Sequence, residues 1–306
     1  MEYELKSAKA VIEELRADIR NNATEAPTST DFKALNNMFD GGLYQGLYVI
    51  GAMTSMGTTS LLKQITDQIA QQGKDVLFFS LEMSRTDLMS KSISREACIF
   101  DDEASLDKGI ERYGAYAKHV SIVEGIDGLT VEDISRIAKR HAQATGSAPI
   151  VVVDYLQLIA PSVTYTDPQT ADKQNMDRAA LRLKHLSHDL NTAVFAISSI
   201  NRHSYKAPVS MSSFKESGGI ESLADVLIGL DFKTMLKNRN RVDIEHEKQK
   251  SPRNITLTIL KNKLGETGCI VDYRYYPAYN LFEEVGKFNP MPSAESEFKD
   301  KIVSKW

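Results

Sequence analysis

The chain has 306 residues, 42% hydrophobic and 25% charged, enough for one large core with appendages, and no apolar run approaches the length needed to span a bilayer. Its 37 basic and 41 acidic residues leave a net charge of −4, which gives no global attraction to nucleic acid, so any DNA contact has to come from particular loops. The start, Met1-Glu2-Tyr3-Glu4, is acidic where a secretory leader would be basic and then apolar, and the two cysteines, Cys98 and Cys269, match no metal spacing; a cytoplasmic protein with reduced thiols is expected.

Residues Glu4 to Arg20 place Leu5, Ala8, Ile12, Leu15 and Ile19 at helical spacing, one apolar stripe on a charged helix that needs a surface to pack on. The polar stretch Asn21 to Thr30, with Pro27, reads as a linker, so the stripe has two possible seats: its own domain or a neighbouring subunit. From Leu47 onward, short apolar runs alternate with amphipathic stretches. The runs are Leu47 to Gly51, Val76 to Ser80, Val120 to Val123, Ile150 to Asp154 and Thr192 to Ser198. Runs apolar throughout and joined by helical segments mark a mainly parallel sheet with helices on both faces, an α/β fold. The intervening helices are expected over Gly57 to Gln72, Arg85 to Ala97, Val131 to Ala144 behind the capping box that opens at Thr130, and Met176 to Asn191. After Ile220, strand-like segments at Asp225 to Leu230, Ile255 to Lys261 and Cys269 to Tyr276 are expected to extend the sheet on one edge. The charged stretch Lys233 to Asn254 reads as a solvated loop, and the tail after Lys287 as loosely held.

The segment Leu47 to Leu62 runs from a strand through a turn of small residues into a helix, the context of a phosphate-binding loop. That chemistry asks for backbone amides curled round a β-phosphate at a helix N-terminus, a lysine on the β- and γ-phosphates, and a hydroxyl on Mg²⁺. Gly57 and Thr59 meet it, but Thr58 stands where the lysine belongs and Ala52 where the first glycine belongs. By itself this is a poor match, and a Ser/Thr/Gly-rich turn before a helix is commonly just a turn. Two further segments strengthen it. Phe78 to Ser84 ends one strand with Glu82, and Val151 to Ile159 ends another with Asp154, both at the edge where ligands bind in open α/β sheets. One such carboxylate can hold Mg²⁺ through water while a second orients an attacking water.

With those residues in view, the chain resembles the C-terminal motor domain of the DnaB family of replicative helicases. The resemblance rests on Ala52, on Ser55-Met56-Gly57, on Ser80-Leu81-Glu82-Met83-Ser84 and on Asp154-Tyr155-Leu156-Gln157-Leu158. It continues through Ile197 to Arg202, Glu216 to Glu221 with Ala224-Asp225, and Lys261 to Gly265, covering roughly Asp31 to Glu284. It implies a RecA-like P-loop NTPase core over residues 31–286, preceded by a linker helix and linker over 1–30 and followed by a tail over 287–306. The implied cofactors are ATP and Mg²⁺. The phosphate cradle would be Ser55, Met56, Gly57, Thr58, Thr59 and Ser60; Thr59 and Asp154 would hold the metal, and Glu82 would polarise water. Ser199 and Arg202 would face the nucleotide, and Lys261 and Lys263 would complete catalysis from a neighbouring subunit. Lys215, Glu216 and Gly218 match the loop that tracks single-stranded DNA inside a hexameric ring of identical subunits, and a helicase loader or a primase is a further implied partner. One lysine per subunit, repeated round a ring, lines a channel that overall charge does not reveal.

Three positions depart from the family pattern: Thr58 for the P-loop lysine, Ser199 for a glutamine that senses the γ-phosphate, and Lys263 for an arginine finger. Losing the first removes a full charge from where transition-state charge develops, an effect of roughly 10²- to 10³-fold in rate. Lysine at 263 keeps charge but loses the planar fork. The primary expectation is a helicase motor with impaired hydrolysis; the alternative is a non-hydrolysing ring that serves as a structural or regulatory module. A replacement made at Thr58 to trap the protein would account for that residue but not for Ser199 and Lys263.

Overall fold

Every apolar run named above becomes a strand. In a computed structural model that describes residues 6–20, 27–98, 105–125, 128–163, 168–214, 218–237, 242–263 and 265–289, the first six strands are β1 (Gly46–Ala52), β2 (Val76–Ser80), β3 (Val120–Glu124), β4 (Ile150–Asp154), β5 (Ala193–Ser199) and β6 (Val226–Phe232). Strands β1, β2, β4 and β6 are buried along their whole length, which is why their sequences are apolar without alternation. Three further strands, β7 (Arg253–Asn262), β8 (Ile270–Tyr276) and β9 (Leu281–Asn289), follow as antiparallel hairpins. All nine form one sheet in the order β3-β2-β4-β5-β1-β6-β7-β8-β9, parallel from β3 to β6 and antiparallel beyond, so the expected edge extension is present.

The helices are α1 (Ala8–Arg20), α2 (Lys33–Met38), α3 (Thr58–Gln71), α4 (Arg85–Ala97), α5 (Ser105–Tyr116), α6 (Val131–Thr145), α7 (Pro168–Asp189), α8 (Gly218–Leu223), α9 (Lys233–Lys237) and α10 (Ile244–Gln249). Six of them form two packed groups, α3 with α4 and α5, and α7 with α6 and α8. The capping box at the start of α6 forms as expected: Thr130 Oγ1 accepts from Asp133 N at 3.2 Å and Asp133 Oδ2 accepts from Thr130 N at 3.3 Å.

The structure departs from the sequence expectation in four places. The charged stretch after β6 contains α9 and α10; Met235 is buried, and Asp243 caps α10 by accepting from His246 N at 3.1 Å. Helix α7 begins at Pro168, eight residues before its expected start at Met176. Strand β9 carries the sheet through Asn289, two residues past Lys287, the expected start of the tail. Helix α5 has no counterpart in the sequence pattern because Gly109 and Gly114 interrupt it, yet Gly109 is where it crosses α4. A Cβ there would lie 2.8 Å from Ala97 Cβ and 2.9 Å from Ile93 O. Tyr113 and Tyr116 anchor α5 over a buried polar cluster in which Asp67 pairs with both Lys63 and Arg95 and accepts from Ser92 Oγ at 2.6 Å. Tyr116 donates to Glu96 at 2.8 Å.

Parallel pairing brings the C-terminal ends of four strands to one edge. Ala52 of β1 stands opposite Ser199 of β5, and Ser80 of β2 opposite Asp154 of β4. Strand β1 lies between β5 and β6 while its own continuation, α3, leads away to β2. This reversal of strand order opens a crevice at that edge. Of the N-terminal helix, Val11 and Ile12 are each 48% exposed, so the apolar stripe is not covered by the chain's own domain at Ile12.

Candidate nucleotide-binding site

The turn from β1 to α3 curls because two of its residues take left-handed backbone angles, Ser55 with φ 69° and Gly57 with φ 91°. Only glycine fits the second position. A Cβ on Gly57 would lie 2.6 Å from Tyr275 Cε1, on a ring that is itself stacked on Phe282 with centroids 4.3 Å apart. Helix α3 starts directly after, and among the described residues no side chain caps its first turn, which leaves leading amides for an anion to meet. Thr59 Oγ1 donates to Asp154 Oδ2 at 2.7 Å. Ser60 Oγ donates to Asn280 Oδ1 at 3.0 Å, which ties the loop to the β8–β9 turn.

These residues line a cavity of about 900 Å³ that brings together most of the expected set: Ser55, Met56, Gly57, Thr58, Thr59, Ser60, Glu82, Asp154, Ser199 and Arg202. Asp154 is buried at 4% exposure, and burial pushes its carboxyl up to about 6, with the Glu82 charge adding to the rise and the Thr59 hydroxyl opposing it. A buried carboxylate whose described partner is one hydroxyl, beside a second carboxylate, is a pair that a divalent cation would satisfy. The donor set, the curled backbone and the uncapped helix therefore fit Mg²⁺ with a nucleotide phosphate chain, apart from the positive charge missing at Thr58.

Several residues outside the expected set line or brace the cavity. Gln157 holds the end of β5 by donating to Ser198 Oγ at 3.0 Å and to Ser199 O at 3.3 Å, and by accepting from Ser199 N at 3.2 Å. Arg253 donates to Ser55 O at 2.8 Å, and its guanidinium lies 5.8 Å from the Tyr275 ring. Lys91 donates to Asn280 Oδ1 at 3.1 Å. His203 and Tyr205 also line the cavity. Lys91 stands on the polar stripe of α4 four residues after Asp87, a signal legible in the sequence. Arg253 and Tyr275, from strands, and Asn280, from the β8–β9 turn, reach the loop from some two hundred residues away and leave no local signal.

Two expected site residues lie elsewhere. Lys261 pairs with Leu227 near the N-terminal end of β6, at the sheet edge opposite Asp154, and donates to Glu221 O at 2.7 Å. Lys263 Nζ lies 3.2 Å from Asp225 Oδ1, an oxygen that Lys184 also reaches at 2.8 Å. Neither touches the cavity of its own chain. Of the expected DNA loop, Lys215 and Glu216 lie outside the described residues, and Gly218 opens α8, where Gly219 N donates to Asp177 Oδ1 at 2.9 Å.

Comparison with known proteins places the chain in a family. The model of the DnaB-like helicase C terminal domain matches residues 28–284. The chain belongs to that family. It is 29% identical over 231 residues to the replicative DNA helicase DnaB of Pasteurella multocida, covering 70% of this chain and 48% of that protein. It is 26% identical over 266 residues to the replicative DNA helicase DnaC of Bacillus subtilis, covering 83% and 55%. The chain thus spans about half the length of these curated relatives. Among solved structures, one isolated ATPase domain superposes with a TM-score of 0.73 at 20% identity, covering 92% of this chain and all of that one. A DnaB-like replicative helicase studied with primase gives the same score and identity, with 68% of that chain covered. These likenesses establish the RecA-like fold. No helix among the described residues is long and apolar enough to cross a membrane.

Between the cavity and the stretch expected to contact DNA, a short segment is pinned to the sheet. Asn201 N donates to Ser213 O at 3.1 Å, Phe214 is buried, and Val209 N donates to both carboxylate oxygens of Asp231, at 3.1 and 2.9 Å. Asp231 is 1% exposed, and burial pushes its carboxyl up to about 6 from 3.8, with the Val209 amide only partly offsetting this. A folded value above the unfolded one means that ionised Asp231 costs stability at neutral pH, about 3 kcal/mol, and that the cost is released as pH falls through 6 towards 4. Asp231→Asn, which keeps one acceptor for Val209, is therefore expected to raise the urea midpoint at pH 7 and to match the parent near pH 4. A lower midpoint at pH 7 would mean that the paired bonds to Val209 outweigh the buried charge.

Proposed function

We propose that this chain is a helicase motor domain of the DnaB type with impaired hydrolysis. It binds Mg·ATP between the Ala52–Thr59 loop, Glu82 and Asp154, and grips single-stranded DNA through the loop carrying Lys215, Glu216 and Gly218. The observation that carries this reading is the hydrogen bond of Thr59 to buried Asp154 at the uncapped start of α3, with Glu82 on the same cavity wall. Bound Mg²⁺ would neutralise phosphate charge as the terminal phosphoryl group leaves. The chain's own share is to cradle the phosphates with backbone amides, to orient a water from Glu82, and to hold Asp154 for the metal. Arg202, at the cavity edge and next to Asn201, couples nucleotide to the DNA loop through the pinned segment.

The placement of Lys261 and Lys263 opposite the cavity supports action in trans, each subunit of a hexameric ring completing its neighbour's site. The exposed Val11 and Ile12 support docking of α1 on an adjacent subunit. A primase or loader is the further partner expected for such a ring, and the cytoplasm its compartment. The second reading, a ring that binds but does not hydrolyse and serves as a structural or regulatory module, is favoured by Thr58, Ser199 and Lys263 together. ATP turnover with and without single-stranded DNA separates the two: slow but DNA-stimulated turnover supports a weakened motor, and none supports the module. Turnover at ordinary helicase rates contradicts the impairment itself. Removing residues 1–21 is expected to lower the oligomer mass; an unchanged mass contradicts docking of α1 on a neighbour.

A further inference from the structure

The cavity lacks the P-loop lysine but does not lack a lysine. Lys91 reaches it from α4, half-buried, on the far side of Asn280 from the loop. Asn280 Oδ1 accepts from Lys91 Nζ at 3.1 Å and from Ser60 Oγ at 3.0 Å, so the ammonium sits one side chain away from the first turn of α3. It lines the same cavity as Thr58, Thr59, Glu82 and Asp154. Among the described residues Lys91 is in no ion pair, whereas Lys63, a residue of α3 itself, is wholly buried and committed to Asp67. A half-buried ammonium held by one neutral amide is poorly compensated, and an arriving phosphate is a better partner than that amide. Burial pushes the Lys91 ammonium below the ordinary lysine value, with Asp154 and then Asp87 pulling it back up, as expected for a cation beside the metal-binding carboxylate.

We propose that Lys91 supplies, in this chain, the phosphate-facing positive charge that Thr58 does not. Its flexible stem leaves Asn280 on nucleotide binding and places Nζ against the phosphate oxygens, entering from α4 instead of from the P-loop. Arg253 is less suited, because its guanidinium is held by Ser55 O and lies beside the Tyr275 ring, where it shapes the loop. Lys91 is thereby a binding residue.

The inference rests on the nucleotide-site reading above, and a double-mutant cycle on equilibrium binding of Mg·ATP tests the two separately. The proteins are the unmodified chain, Lys91→Met, Thr58→Lys and the double variant, with Lys91→Arg as the charge-keeping control and thermal melts to confirm folding. Lys91→Met is expected to weaken binding about tenfold or more in the unmodified chain, as for loss of a hydrogen bond to a charged group. Lys91→Arg keeps most of the affinity. In the Thr58→Lys background, where the P-loop supplies its own charge, loss of Lys91 costs at most about threefold, since two groups doing one job are not additive. Equal losses in the two backgrounds, or none in either, overturn the role assigned to Lys91 while leaving the nucleotide site standing. Absence of Mg·ATP binding by every folded variant, Thr58→Lys included, overturns the site reading and this inference with it.

Discussion

Thr58→Lys is expected to raise DNA-stimulated ATP turnover by about 10²- to 10³-fold over the unmodified chain. Thr58 is the first residue of α3, half-buried and on the cavity wall, so a lysine there extends into the space that the curled loop leaves for phosphates. The rest of the machinery is already in register: Thr59 is bonded to Asp154, Glu82 stands on the same cavity, and Gly57 holds the turn open. The gain should appear mainly in kcat, because the developing charge on the transferred group is what the missing cation would stabilise, whereas Lys91 already assists ground-state binding. Tighter binding with unchanged turnover would place the remaining fault at Ser199, whose hydroxyl replaces a γ-phosphate-sensing amide, or at Lys263, whose ammonium replaces a planar fork.

The second large effect is expected at Asp154. Replacing it with asparagine keeps the shape and an acceptor for Thr59 Oγ1, so the fold should survive; it also removes a buried charge that its surroundings already disfavour. What is lost is the carboxylate for the metal. Binding of ATP should no longer respond to Mg²⁺, and residual turnover should fall by roughly 10²-fold or more. Glu82→Gln provides the contrast: Glu82 is exposed at the cavity wall and is assigned to water, so Mg²⁺-dependent binding should persist while turnover is lost. Asp154→Asn that still binds ATP in a Mg²⁺-dependent way would contradict the assignment of the metal carboxylate.

The parallel part of the sheet is legible in the sequence because burial on both faces writes itself as uninterrupted apolar runs, so Val76–Ser80 and Ile150–Asp154 read true to the residue. Thr130 and Asp133 mark the start of α6 because a capping box is local chemistry. Helix α5 and strand β9 are not legible. Gly109 looks like a helix breaker until α4 is seen against it, and β9 is held by pairing with β8. The same division runs through the site. Glu82 and Asp154 end strands that announce themselves, and Lys91 stands on a stripe, whereas Arg253, Tyr275 and Asn280 reach the phosphate loop only through tertiary structure. Lys63 and Asp67 are four residues apart and resemble a solvated surface pair; only the docking of α4 and α5 turns them into a buried cluster.

The Ala52–Thr59 loop is expected to bind nucleotide despite lacking its lysine. Calorimetric titration of Mg·ATP into the unmodified chain tests it most directly. Saturable binding at one site per chain is expected, weakened when Mg²⁺ is chelated and lost in Thr59→Ala. Binding indifferent to both Mg²⁺ and Thr59, or no binding at millimolar nucleotide, would contradict it.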